Sequence, residues 1–265
     1  MNGDLSLAAI HVYPIKAAGG LAVDSWTVDA FGLQFDRRWL VVDGHGRAVT
    51  QREQPRLAMV RCEISDHALR VTAPAMPPLE LALHPSPAVT TIVTVWDDIC
   101  DAQWLGEAPS TWFTNLLGAP CSLVYMPEST RRPVDPAYAP AADRVSFADA
   151  FPLLMLSEAS LAALNQRLPR PVPMNRFRPN LVLAGGEPHV EDRLGRFRLG
   201  TLDLEAVKPC DRCVVITNDQ DSAERGPEPL RTLATYRKVG SKVLFGQNVV
   251  HYGTGRLTVG QQVTV

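Results

Sequence analysis

The sequence predicts a mainly β fold with a few helices, and three observations support that prediction. Proline and glycine are frequent, at 22 and 18 of 265 residues, and they favour short elements joined by turns. Several segments are rich in β-branched residues, most continuously residues 90–96 with the sequence TTIVTVW. Clear helical patterns are confined to residues 110–117 and 157–168. We therefore expect short strands in a barrel-like arrangement with two or three helices.

The first hundred residues consist mainly of strand-like segments. Residues 7–13 form one apolar run, and residues 38–43 form another that stops at a glycine. The GHG sequence at residues 44–46 is typical of a turn between paired strands. Further strands are expected at residues 26–29, 57–64, 68–72 and 90–96.

The two helical segments carry start and stop signals. Residues 110–117 begin with Ser110 as a candidate cap and end before Gly118. Residues 157–168 begin with Ser157, contain good helix formers and stop before a proline. Both segments are therefore expected to be short, capped helices.

A proline-, arginine- and aspartate-rich segment, residues 126–142, is the candidate boundary between two domains. We expect one domain in residues 1–125 and the other in residues 126–265. Strand patterns resume after the boundary segment, at residues 180–184, 201–207, 213–217, 243–245, 249–252 and 262–265.

Composition excludes several classes of protein. The net charge is -2, so no global charge draws the chain to nucleic acid or to an anionic membrane. No segment has the roughly 18–20 apolar residues that a transmembrane helix requires. The N-terminus lacks a basic segment followed by an apolar one, so we expect a cytoplasmic protein without a secretory signal. The cysteine count is 5, which does not suit a disulfide framework.

The sharpest local feature is the sequence KPCDRC at residues 208–213. It lies between two strand-like segments, so it is expected to be a loop, where functional sites are common. A thiolate at neutral pH needs nearby positive charge, and Lys208 and Arg212 flank Cys210. From this motif alone, an equally good interpretation is that Cys210 and Cys213 are ordinary half-buried thiols.

Two other readings of the cysteine pair are less well supported. A structural zinc site needs four ligands, and the sequence has no second pair of this spacing and no matching histidine pair. A thioredoxin-like redox pair is expected to open a helix. The residues after Cys213 are β-branched, which argues against a helix there.

Basic side chains recur at the ends of strand-like segments. Arg176 and Arg178 precede the segment at residues 180–184, and Lys16 follows the first strand. Arg37 lies just before the strand at residues 38–43. Guanidinium groups in such positions bind phosphates or carboxylates, although each of these groups alone is equally compatible with a solvated surface.

Taken in order, these segments resemble the MOSC family, and in particular the branch that includes the mitochondrial amidoxime-reducing component and its bacterial relatives. The resemblance covers nearly the whole chain. It rests on IHVYPIK (10–16), DRRWLVVD (36–43), TQREQPRL (50–57), FPLLMLSEAS (151–160), NRFRPNLV (175–182), KPCDRC (208–213), EPLRTL (228–233) with YR (236–237), and LFGQN (244–248).

The resemblance implies a β-rich MOSC N-terminal region followed by a MOSC β-barrel domain. It also implies that the chain binds the molybdenum cofactor, a pyranopterin (molybdopterin) that chelates molybdenum and carries a phosphate. By the family pattern, Cys210 is the metal ligand. The positions that match the cofactor contacts of the family are Lys16, Arg37, Ser157, Arg178 and, more weakly, Asn248.

The resemblance further implies an oxidoreductase that reduces N-hydroxylated compounds. Asp211 and Asp219 are then candidate polar groups that face the substrate, although loop aspartates are commonly only solvated. The chain departs from many relatives at Ala17, where a hydroxyl residue usually follows the motif lysine. Some bacterial relatives also carry an iron–sulfur domain after the barrel. Since no further cysteines follow Cys213 here, we expect electrons from a separate ferredoxin, flavoprotein or cytochrome.

Two alternatives remain open from the sequence. A molybdenum-cofactor carrier or sulfur-transfer module would bind the cofactor without reducing a substrate, with Cys213 as a persulfide carrier. A thiol redox protein would instead use Cys210 and Cys213 as a dithiol pair and bind no metal.

Overall fold

A computed structural model describes residues 5–86, 89–139 and 144–265 and confirms the mainly β fold. The described residues form three α-helices, which are α1 (Glu107–Leu117), α2 (Glu158–Asn165) and α3 (Leu230–Ala234). The strands in chain order are β1 (Ser6–Val12), β2 (Leu21–Val23), β3 (Ser25–Asp29), β4 (Gly32–Leu33), β5 (Trp39–Asp43), β6 (Arg61–Ile64), β7 (Ala68–Thr72), β8 (Leu79–Ala82), β9 (Thr90–Val95), β10 (Asp98–Trp104), β11 (Cys121–Tyr125), β12 (Leu153–Ser157), β13 (Leu181–Ala184), β14 (Arg196–Leu199), β15 (Leu202–Asp211), β16 (Lys238–Val239), β17 (Lys242–Tyr252), β18 (Gly255–Thr258) and β19 (Val263–Thr264).

The largest sheet has the strand order β19-β14-β15-β17-β12-β13-β1-β2, with β16 paired to β17. All its pairs are antiparallel except β12 with β13. The sheet also closes on itself between its β19 end and β1, because Leu7 N donates to Gln261 O at 2.9 Å and Val263 N donates to Leu5 O at 2.8 Å. The main-chain hydrogen bonds therefore run around a ring, which is the barrel-like arrangement expected from the sequence. Buried side chains such as Ile10 pack its interior.

Three smaller sheets, β5-β11-β10-β9, β6-β7-β8 and β18-β3-β4, complete the strand pairing. The first two lie within the N-terminal part of the sequence and share a core with α1. However, β1 and β2 belong to the large sheet, and β3 pairs with β18 near the C-terminus. The two regions therefore exchange strands, and the division at residue 125 stays a sequence-based prediction.

The structure confirms two of the predicted helix-terminal residues and contradicts one. Ser157 caps α2, because its Oγ accepts from Ser160 N at 3.1 Å, as predicted. Gly118 ends α1 in the left-handed conformation, also as predicted. Ser110 lies inside α1, since that helix already starts after Gly106. None of the helices in the described ranges is long and apolar enough to span a membrane.

Two expectations around the cysteine motif were wrong. The predicted loop at residues 208–213 instead continues β15 as far as Asp211, paired with β17 across two register shifts. These bulges allow Pro209 to lie in a strand without breaking the ladder. Residues 213–217 were predicted as a strand, but Val214–Thr217 forms a 3-10 helix whose Ile216 packs into the core near α3. The β-branched residues after Cys213 therefore no longer argue against a helical turn.

Candidate functional site

A cavity of about 610 Å³ opens where the large sheet meets the N-terminal region. Of the described residues that line it, eight are basic and two are acidic, so its electrostatic preference is for an anion. The basic residues are Lys16, Arg37, Arg52, Arg176, Arg178, Lys208, Arg212 and Lys242. The acidic residues are Asp149 and Asp211, and the cavity also contains Cys210, Cys213 and Asn248.

Cys210 lies near the end of β15, and its half-buried side chain lines the cavity. Burial raises the pKa of the Cys210 thiol, and the positive charge of Arg212 opposes that rise without cancelling it. Lys208 Nζ lies over the ring of Tyr138, 4.4 Å from its centroid. The charge of Arg212 therefore does not bring the pKa of this thiol below its ordinary value. Binding of a metal ion would favour loss of the proton.

Arg212 braces the wall beside the cysteine. Its Nε donates to Phe245 O at 2.7 Å and its Nη1 to Phe177 O at 3.0 Å. Its Nη2 is buried and has no hydrogen-bond partner within the described part of the chain. A buried donor left without a partner destabilises the fold, and a ligand that accepts from it would offset that loss.

Arg37 is held in place by a buried polar network. Its Nη1 donates to Asp36 Oδ2 at 2.5 Å and to Asn180 Oδ1 at 2.8 Å. Asn180 Nδ2 in turn donates to Asp36 Oδ1 at 3.0 Å, and so does Tyr13 N at 2.8 Å. Burial raises the pKa of Asp36, against the charge of Arg37. The network fixes the guanidinium at the cavity before any ligand arrives.

Arg178 occupies the same part of the cavity. The guanidinium carbons of Arg37 and Arg178 each lie 4.4 Å from the ring centroid of Tyr13. Burial lowers the pKa of Arg178 to about 10 and raises that of Tyr13 to about 12. At neutral pH the arginine is therefore charged and the phenol is neutral. Both arginines have left-handed φ angles, of 50° and 56°, the kind of backbone strain that is concentrated at functional sites.

Lys16 forms an ion pair that the sequence did not reveal. Its buried Nζ donates to Asp149 Oδ1 at 2.6 Å and to Phe147 O at 2.7 Å. Burial lowers the pKa of Lys16, and Asp149 opposes that fall. Burial alone would raise the pKa of Asp149, but the charge and hydrogen bond of Lys16 hold it below its ordinary value. These contacts fix Lys16 Nζ at the cavity.

The remaining predicted residues divide into two groups. Asn248 and Asp211 line the cavity, on β17 and at the end of β15. Ser157 is fully buried and does not line it, because its hydroxyl caps α2 and donates to Ser160 Oγ at 2.8 Å. The structure therefore does not place the Ser157 hydroxyl in the cavity lining.

Asp219 also lies outside the cavity lining. Its Oδ2 accepts from Arg176 Nη2 at 2.6 Å, and its Oδ1 accepts from Asp221 N and Ser222 N, both at 3.0 Å. These contacts, led by the bond from Ser222, lower the pKa of Asp219 from 3.8 to about 2. Since Arg176 does line the cavity, Asp219 positions a basic wall residue and does not face a ligand itself.

We expect Asp219→Asn to destabilise the protein at neutral pH and much less at low pH. A carboxylate with a depressed pKa stabilises the fold above its unfolded pKa, and that stabilisation is lost as the pH falls from about 4 towards 2. Because the side chain is partly exposed, the expected loss is only about 1 kcal/mol. Urea unfolding of parent and variant between neutral pH and pH 2 measures it. A difference that stays constant over that range would contradict this role.

Several lining residues had no assigned role in the sequence-based reading. Arg52 lay in a segment that supported the resemblance, but nothing in the segment indicated a cavity. Trp96 ends a strand, and Asp149 follows the boundary segment, where no pattern distinguished it. Contacts between distant segments bring all three residues together, so the periodicity of the sequence could not predict that they line one cavity.

The described side chains at this site do not form a complete metal-binding group. The described residues include no group of three or more histidine, cysteine, aspartate or glutamate side chains placed to hold a metal ion. All five cysteines are free. A metal ion at Cys210 would therefore depend on further ligands from a bound molecule.

Two family models match the chain in succession, the MOSC N-terminal beta barrel domain over residues 5–120 and the MOSC domain over residues 142–264. The sheet ring, the basic cavity and these matches agree, and the chain belongs to the MOSC family.

Particular relatives fall into two groups. The chain is 33% identical to the human mitochondrial amidoxime-reducing component 1 over 97% of its own length and 82% of that protein. The zebrafish protein of the same name is 32% identical over 95% of this chain and 82% of its own. A molybdenum cofactor sulfurase from rice is 34% identical over 92% of this chain, which spans only 32% of that relative.

Proposed function

We propose that the chain binds the molybdenum cofactor in this cavity and reduces N-hydroxylated compounds, with Cys210 as molybdenum ligand and a separate redox protein as electron donor. The observation that carries the proposal is the presence of an accessible thiol in a cavity with a large excess of basic side chains. The similarity over most of their length to proteins named amidoxime-reducing components supports the choice of reaction.

The residues present fit the chemistry of the cofactor. Its phosphate requires converging cations, and Lys16, Arg37 and Arg178 are each fixed at the cavity by contacts within the protein. Its molybdenum prefers a soft ligand, which Cys210 supplies. The volume of about 610 Å³ lies within the range of ligand sites. The unpartnered Arg212 Nη2 adds a donor on the same wall.

When bound, the cofactor would supply two-electron removal of oxygen from the substrate. The overall reaction converts N–OH, two electrons and two protons into N–H and water. Cys210 would lose its proton on binding the metal, which is how metal sites couple to thiol ionisation. Asp211, next to it and exposed, would hold a carboxylate within reach of the incoming protons. Arg176, positioned by Asp219, would keep that wall of the cavity positively charged.

The test is turnover with a chemical electron donor. Protein purified from a host that makes the cofactor is mixed with reduced methyl viologen and an amidoxime, and the amidine product is measured. We expect product to form in proportion to molybdenum content. Molybdenum-loaded protein that forms no amidine from several N-hydroxylated substrates would contradict the reductase proposal.

The second candidate is a carrier of the cofactor or a sulfur-transfer module. It is favoured by the similarity to the rice molybdenum cofactor sulfurase and by Cys213, which lines the same cavity. It predicts bound molybdenum without turnover, and release of the cofactor to an apoenzyme. A thiol redox protein would instead oxidise and reduce Cys210 and Cys213 as a dithiol pair with no metal bound. That function does not explain the excess of basic residues in the cavity.

A further inference from the structure

We propose that Arg52 and Trp96 form a second anion subsite in the outer part of the cavity, which binds an oxyanion of the substrate. This inference rests on the proposed reduction and specifies its substrate class as N-hydroxylated compounds that carry a carboxylate or similar group. Both residues come from the N-terminal region, and nothing in the sequence pattern assigned them a role.

Trp96 provides a rigid platform at the cavity. It lies in the turn between β9 and β10 with a φ of 57°, and its side chain is 42% exposed although it is large and apolar. Its Nε1 donates to Asp149 Oδ1 at 3.2 Å, the oxygen that also accepts from Lys16. An indole that is held by its edge and left open to solvent is well placed to contact a ligand.

The Arg52 guanidinium stacks on the Trp96 indole, and its N–H groups have no hydrogen-bond acceptor among the described residues. Its guanidinium carbon is 4.3 Å from the Trp96 ring centroid, a stacking contact that orients the fork of N–H groups. Within the described residues, its guanidinium forms no ion pair and no hydrogen bond. Its backbone is fixed, since Arg225 Nη2 donates to Gln51 O at 2.7 Å and to Arg52 O at 3.0 Å.

The nearby acids do not neutralise this guanidinium. Asp149 is paired with Lys16, and Glu53 Oε2 accepts from Thr50 Oγ1 at 2.8 Å and from Thr50 N at 3.2 Å. An oriented guanidinium with free donors in an electropositive cavity matches a planar oxyanion in geometry and in charge. The outer part of the cavity is therefore specific for anionic groups.

The oxyanion has two conceivable sources, the cofactor phosphate and the substrate. Lys16, Arg37 and Arg178 are buried or half-buried, whereas Arg52 is exposed and Trp96 is 42% exposed. The inner cations suit a tightly held cofactor, and the exposed pair suits a group that enters and leaves with each turnover. This contrast assigns the outer pair to the substrate.

The experiment compares two amidoximes that differ in one group, benzamidoxime and its para-carboxy derivative, with the cofactor-loaded protein. The measured quantity is the ratio of their kcat/KM values. Arg52→Gln is expected to lower the ratio of charged to neutral substrate about tenfold, the loss of one charge-assisted hydrogen bond. Arg52→Lys is expected to restore part of the ratio, and Trp96→Leu to lower it by disordering Arg52. Arg56→Gln, in the same segment but outside the cavity lining, is the matched control.

Two further readouts separate the possible failures. Molybdenum content of Arg52→Gln identifies the source of the anion, and a large loss of metal would overturn the proposal by assigning Arg52 to the cofactor. Calorimetric binding of the two amidine products to the loaded protein needs no turnover. Arg52-dependent preference for the carboxylated product without any reduction would sustain the subsite while removing the proposed reductase activity. An unchanged preference in Arg52→Gln would overturn the subsite.

Discussion

Cys210→Ala is expected to lower N-hydroxy reduction by about 100-fold or more. Changes to groups that only orient metal ligands already cost about 10- to 100-fold, and Cys210 is the thiol proposed to bind the metal itself. The loss should appear in kcat, because the basic side chains that hold the rest of the cofactor are untouched. Steady-state turnover with a chemical donor, normalised to folded protein, measures it.

Two control variants make this result specific. Cys121→Ala changes a half-buried cysteine that does not line the cavity, and it is expected to retain activity. Cys213→Ala removes the neighbouring thiol. A dithiol mechanism predicts that Cys210→Ala and Cys213→Ala are equally damaging, whereas metal ligation by Cys210 predicts a much smaller effect at Cys213. Equal losses at the two positions would therefore favour the thiol redox protein.

Arg132→Met is expected to lower the free energy of unfolding by about 3 kcal/mol. The Arg132 side chain is 1% exposed and its Nη1 donates to Ser146 O and Ala148 O, both at 2.6 Å. Its Nη2 donates to Asp149 O at 3.0 Å, and its Nε donates to Asp98 Oδ2 at 2.9 Å. Methionine fills the volume but leaves the buried carbonyl groups without a donor.

The same substitution is expected to disturb the site. The segment that Arg132 holds carries both acceptors of Lys16, namely Phe147 O and Asp149 Oδ1. Urea unfolding measures the stability, and molybdenum content measures the site. Arg131→Met, at an exposed neighbour, is the matched control and is expected to change the stability by about 0.5 kcal/mol or less. Equal stability of the two variants would contradict the account of Arg132.

The fold class and several element boundaries were predictable because they depend on local chemistry. A serine hydroxyl that caps a helix, as at Ser157, and a glycine that ends one, as at Gly118, act within a few residues. The extension of β15 through Pro209 depends on bulged pairing with β17, and the 3-10 turn at Val214–Thr217 depends on packing in the core. Tertiary contacts decided those two elements, so the residue pattern gave the wrong answer.

The site was predictable only in part. Cys210, Lys16, Arg37 and Arg178 meet in one cavity, as the resemblance implied, and their roles there stay predictions. Ser157 caps α2 and lies outside the cavity lining, and a capping hydroxyl and a ligand hydroxyl look the same in sequence. Arg52, Trp96 and Asp149 contact partners far away in the chain, as Asp219 does through Arg176, and periodicity and spacing do not report such contacts.

The most direct test of the central claim is molybdenum and pterin analysis of the protein purified from a host that makes the cofactor. We expect a near-stoichiometric amount of both, with loss or weakening of the sulfur coordination to molybdenum in Cys210→Ala. Folded parent protein that contains neither molybdenum nor pterin, when the same host loads a known molybdenum enzyme, would contradict it.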